Sequence, residues 1–77
     1  MLNKQTIEQI KSGDIEKPVF TVMDKTTTGF LRAHSITLAH QLGLDGMKIL
    51  EEIDQSGNYE DGLVIFNRYF SEYVTLV

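Results

Sequence analysis

Cysteine is absent from all 77 residues, so a disulfide or thiolate metal site is excluded, and a reducing, cytoplasmic setting fits the composition. Long apolar runs are missing too. The opening MLNKQTIEQIKSGD turns polar within three residues, unlike a signal peptide or a membrane span. The expectation is a soluble protein with no membrane partner. Catalytic motifs are equally scarce: no Gly-rich phosphate loop, nucleophile elbow or zinc-protease pattern occurs. His34 and His40 stand six residues apart, about 240° around a shared helix, too far round to grip one ion together. Glu51, Glu52 and Asp54 are near neighbours on one helix, where side chains diverge, whereas an acid and base pair needs carboxyls converging across a cleft. No catalytic, cofactor-binding or metal-ligating residue is nominated, and the chain is expected not to be an enzyme.

Positive charge is in short supply in the second half. Residues 1 to 34 hold five cations against four acids, whereas residues 35 to 77 hold only Lys48 and Arg68 against seven acids. The acids gather around one short stretch: Asp45, Glu51, Glu52, Asp54, Glu60 and Asp61. Such a face repels nucleic acid and anionic membrane and attracts basic partners. The 42% hydrophobic content is that of a globular chain, and 77 residues make one domain with a modest core.

That acidic stretch, SITLAHQLGLDGMKILEEIDQSGN from Ser35 to Asn58, organises the reading. Met47, Ile49, Leu50 and Ile53 recur at helical spacing and predict one apolar stripe, which Ser56 and Gly57 terminate. Asn58, with Asp61 three residues on, is a candidate N-cap for the next helix. A connection this short makes the two helices antiparallel neighbours.

Upstream, Thr6, Ile7 and Ile10 predict a helix over Asn3 to Ser12 that ends at Gly13, with Asp14 as a further N-cap. The segments IEQIKSGDIEK and LEEIDQSGNYED align if one residue is inserted at Asp54, an echo attributed to shared corner chemistry rather than duplication. Ile15, Val19, Val22 and Met23 favour a second helix tolerating Pro18 in its first turn, and a hairpin of about 18 to 23 with 29 to 34 is the alternative. Without the hairpin, Thr26 to Thr28 cap a helix from Gly29 to Gly43; with it, the helix begins at Ser35. Downstream, Leu63, Phe66, Phe70, Tyr73, Val74 and Val77 predict one long helix over 59 to 77, against a competing view of LVIF and YVTLV as strands. The fold class is mainly α, a bundle of four to five short helices, with α+β carrying one hairpin near 18 to 34 as the alternative.

Two family resemblances follow. GNYEDGLVIFNRYF looks like the opening of a tetratricopeptide helix, but there is no 34-residue period and nothing is carried over. Ala39, Gly43, Leu44 and Ile49 resemble the DNA-binding helix-turn-helix family, in which a small residue, a turn glycine and buried aliphatics let two helices cross closely. The resemblance implies a transcriptional regulator, which would need basic residues from elsewhere, such as Lys11, Lys17, Lys25 and Arg32, to line the DNA side. The sequence departs from it where Glu52 replaces an aliphatic and where GMKILEEID offers a polyanion one lysine and three acids. The favoured expectation is a small acidic protein-interaction module. It would use Asp45, Glu51, Glu52 and Asp54 together with Phe66, Tyr69, Phe70 and Tyr73, toward a basic protein surface or, as a homo-oligomer, a second copy.

Overall fold

The computed structural model describes residues 2 to 77. Among these the chain is mainly α, with helices α1 (Lys4–Ser12), α2 (Gly29–Leu42), α3 (Gly46–Ser56) and α4 (Tyr59–Phe70). Two short strands, β1 (Val19–Phe20) and β2 (Thr75–Leu76), form a parallel pair.

The helix boundaries follow from capping chemistry. Asn3 Oδ1 accepts the Thr6 amide at 2.8 Å and starts α1. Asp45 Oδ1 accepts the Lys48 amide at 3.2 Å and starts α3. Asn58 starts α4 twice over: its Oδ1 accepts the Asp61 amide at 2.8 Å, and its Nδ2 donates to the Asp61 carboxylate at 2.9 Å. An orphan amide at the start of each of these three helices is satisfied in this way, whereas Thr28 before α2 makes no side-chain cap. Gly43 and Gly57 end α2 and α3 at φ 70° and 78°, a left-handed backbone that side chains with a Cβ resist.

The core joins α2, α3 and α4. Leu31 and Leu38 of α2, Ile49 and Ile53 of α3, and Phe66 and Phe70 of α4 are fully or almost fully buried in one cluster. The two phenyl rings lie 4.9 Å apart. Gly62 permits the close approach of α4 to the start of α2, because a Cβ there would stand 3.1 Å from Leu31 Cδ1 and 3.2 Å from Thr28 Cγ2. Ser35 is the buried polar residue of α2. Its hydroxyl donates to the Leu31 carbonyl one turn back at 2.6 Å, so its burial leaves no unpaired group.

Residues 15 to 23 form neither the favoured helix nor the alternative hairpin. The segment from Pro18 to Val22 runs extended and pairs in parallel with the end of the chain: Thr75 N donates to Pro18 O at 2.9 Å, Val77 N to Phe20 O at 3.0 Å, and Val22 N to Val77 O at 2.7 Å. Pro18 suits this place, since the pairing uses its carbonyl and needs no amide from it. Residues 29 to 34 belong to α2 instead, which runs the full length from Gly29 with Ser35 inside it. Asp14 caps nothing, because no helix follows it.

The predicted long last helix is corrected at its C-terminal end. It stops at Phe70, turns through Ser71 to Tyr73, and the YVTL run enters β2, while LVIF stays helical. Tyr, Val and Thr favour the extended state, and β1 supplies a hydrogen-bonding partner there. The N-terminal segment fastens this corner. Lys17 Nζ donates to Ser71 O at 2.8 Å, and Lys11 Nζ lies 5.5 Å from the Tyr73 ring centroid. In the loop before α2, the side chain and then the amide of Thr26 donate to Asp24, holding its carboxyl below the ordinary value.

Truncating the central aromatic tests this packing. Phe66→Ala is expected to cost about 3–5 kcal/mol, a large part of the roughly 4–12 kcal/mol expected of a chain this long. Urea denaturation followed by circular dichroism should show the midpoint collapse. An unchanged midpoint would remove Phe66 from the core.

Candidate interaction surface

The residues nominated from sequence separate into three groups. Phe66 and Phe70 have no exposed surface, so they hold the fold together and are corrected out of any partner-facing surface. Tyr69 and Tyr73 are half-buried at the edge of the core. Of the acids, Asp54 pairs with Arg32 Nε at 2.8 Å, joining α3 to α2. Glu52 accepts the Tyr69 hydroxyl and has Arg68 Nη1 at 3.9 Å, joining α3 to α4. Asp45 caps α3, and Glu51 is exposed. Two of the four acids are therefore tied into helix–helix contacts.

The two histidines also separate. His34 Nε2 lies 3.0 Å from Thr21 O, and its ring meets Phe20 edge-on at 5.0 Å, so it clips the extended segment to α2. His40 is exposed. Among the described residues no cluster of three or more His, Asp or Glu side chains is arranged to hold a metal ion. No helix there is long and apolar enough to cross a membrane.

What the structure brings together instead is an apolar groove at the α2–α3 elbow. Ile36, Leu44 and Met47 are 53%, 42% and 75% exposed, and with the half-buried Leu50 they line a depression of about 490 Å³. Ala39 and Gly46 form its floor, where a Cβ on Gly46 would meet the Ala39 Cβ at 3.5 Å. His40 and Asp45 stand among its lining residues.

Sequence reasoning placed Met47 in the buried stripe with Ile49 and Ile53. Met47 and Ile49 are two positions apart, about 200° around the helix, so the two cannot face the same way. Met47 shares a face with Leu50, while Ile49 and Ile53 point into the core. The apolar pattern read from the sequence gives Ile36 no role. The available signal was α2 itself: Leu31, Leu38 and Leu42 mark one side, and Ile36 sits off it, the pattern of a helix with apolar residues on more than one face.

The corner has the local features named in the helix-turn-helix resemblance. Gly43 is left-handed, Leu44 N donates to Ala39 O at 2.9 Å, and Ile49 is buried. The exposed positions of α3 differ in chemistry from a DNA-reading surface: Met47, Lys48, Glu51, Asp54 and Gln55 include one cation. No family model, curated protein or solved structure matches the chain.

The Tyr69–Glu52 contact has a titration signature. The hydrogen bond to Glu52, then burial, then the carboxylate charge raise the Tyr69 phenol above its ordinary value. The neutral phenol is the favoured form, so this contact's stabilisation is complete below the unfolded value of about 10. It is lost as pH rises through the raised folded value. Ultraviolet titration of the phenolates, with Tyr69→Phe to identify the Tyr69 contribution, should find that group above the ordinary tyrosine value, and Glu52→Gln should lower it. A Tyr69 value indifferent to Glu52→Gln would contradict the contact.

Proposed function

We propose that the protein is a small, acidic, non-enzymatic interaction module that docks a protein partner along the α2–α3 groove. The supporting observation is the convergence of Ile36, Leu44 and Met47, three substantially exposed aliphatic side chains, on one depression between two helices joined by a tight turn. Exposed aliphatics are ordinary singly, but a cluster lining one groove marks a surface suited to being covered. Covering these three side chains contributes roughly 1–2 kcal/mol each. A micromolar complex requires about 8 kcal/mol, so contacts beyond these side chains have to contribute. Exposed Glu51 and the rim residue Asp45 supply polar groups of the sign that suits a basic partner.

A DNA-binding regulator is the second reading, favoured by the α2–Gly43–α3 corner. Its difficulty is cation supply. Of the basic residues available to line a DNA side, Arg32 is paired with Asp54, Lys17 with Ser71 O, and Lys11 lies against Tyr73. Such contacts compete with phosphate, and phosphate contacts dominate nucleic-acid affinity.

Substitution on and off the groove separates the readings. Met47→Asp and Leu44→Asp should each weaken capture of the native partner by at least about tenfold, while Val64→Asp, at a 60% exposed site on α4, should leave it unchanged. Circular dichroism should show all three variants folded. Equal capture by all of them would refute the groove reading. A gel shift on duplex DNA at low salt, abolished by Lys48→Ala, would establish the regulator in its place.

A further inference from the structure

Resting on the interaction reading above, we infer that the occupant of the groove is a single amphipathic helix from a basic protein, with cations flanking a short apolar stripe, rather than a second copy of this chain. The α2–α3 pair is a layer with two faces. One face, through Leu31, Leu38, Ile49 and Ile53, belongs to the core that α4 completes. The other, through Ile36, Met47 and Leu50, has no helix over it among the described residues. A further helix laid there gives the layer on its open side what α4 gives it on the other, and helix-in-groove docking is a recurring use of such a surface.

Charge selects among helices. Asp45 stands at the elbow end of α3, and Glu51 lies six residues on, one turn beyond Met47 on the same side. Asp45 is among the residues lining the groove and Glu51 stands in solvent beside Met47, so the α3 side of the apolar section carries acids. A partner helix with Lys or Arg seven residues apart, which fall on one face, and aliphatic side chains between them on that face suits this combination. A second copy matches it poorly. Its own groove presents the same acids, relieved by Lys48 alone, and the whole chain carries a formal net charge of −4. A stable dimer also covers about 800 Å² on each partner, roughly a sixth of the 4971 Å² surface and more than a few groove side chains supply.

The test uses the full chain and synthetic helical peptides with blocked ends, carrying a leucine pair flanked by lysines or, in the matched control, by glutamates. Binding is read from the amide and methyl resonances of Ile36, Leu44, Met47 and Leu50. The lysine peptide should shift these resonances saturably and lose affinity as salt rises. The glutamate peptide should bind at least about tenfold more weakly, and Met47→Asp should abolish binding where Val64→Asp does not. Equal binding of both peptides would overturn the basic-helix inference while leaving the groove as a docking surface. So would sedimentation of the free protein as a dimer that Met47→Asp dissociates. If neither peptide binds and Met47→Asp also leaves native-partner capture intact, the inference and the interaction reading fall together.

Discussion

The seating of α4 on one side of the α2–α3 pair is the constraint from which the rest follows. Phe66 and Phe70 fill the space against Leu31, Leu38, Ile49 and Ile53, and Gly62 lets the backbones approach where a Cβ would crowd Leu31 and Thr28. A chain of this length has little spare apolar surface with which to build a second layer. The aromatic residues are committed to this face, so the opposite face of the same pair keeps Ile36, Leu44 and Met47 in solvent. The N-terminal segment does not cover them. Lys17 and Lys11 reach the corner after α4, and Phe20 and Val22 extend along β2.

The acidic character of the second half has two physical uses. Part of it is internal: Asp54 with Arg32 and Glu52 with Tyr69 bind α3 to its neighbours, while Asn58 and Asp61 fix the start of α4. These contacts are largely exposed, so each adds modestly to stability and mainly aligns the helices. Asp45, besides capping α3, is among the residues lining the open groove, and Glu51 stands in solvent one turn beyond Met47. Charge of one sign near an apolar strip sets which partner is attracted more than how tightly it is held.

Much of the helical architecture was legible locally. Asn3, Asn58, Gly13, Gly43 and Gly57 act within a few residues of themselves, and each marks the boundary its chemistry implies. The strand pair was illegible for the opposite reason. Pro18 and Thr75 are hydrogen-bonded across the whole helical body, and parallel pairing leaves no turn sequence between its partners. The same ambiguity lengthened the last helix on paper, because Tyr73, Val74 and Val77 continue the helical stripe and also suit an extended run. At the candidate site the difficulty was angular. Grouping Met47 with Ile49 and Ile53 by hydrophobicity hides the fact that it lies on the far side of α3, and Ile36 is set apart from Leu31, Leu38 and Leu42 by angle alone, with α4 deciding which side is buried.

Solvent paramagnetic relaxation of the methyl and aromatic resonances, with a neutral gadolinium chelate and dilute protein, tests this two-sided arrangement most directly. The Met47, Ile36 and Leu44 methyls should be strongly attenuated, while Ile49, Ile53, Phe66 and Phe70 remain protected. Protection of Met47 and Ile36 together with attenuation of Phe66 or Phe70 would mean that α4 covers the other face of the layer, and the groove would cease to exist.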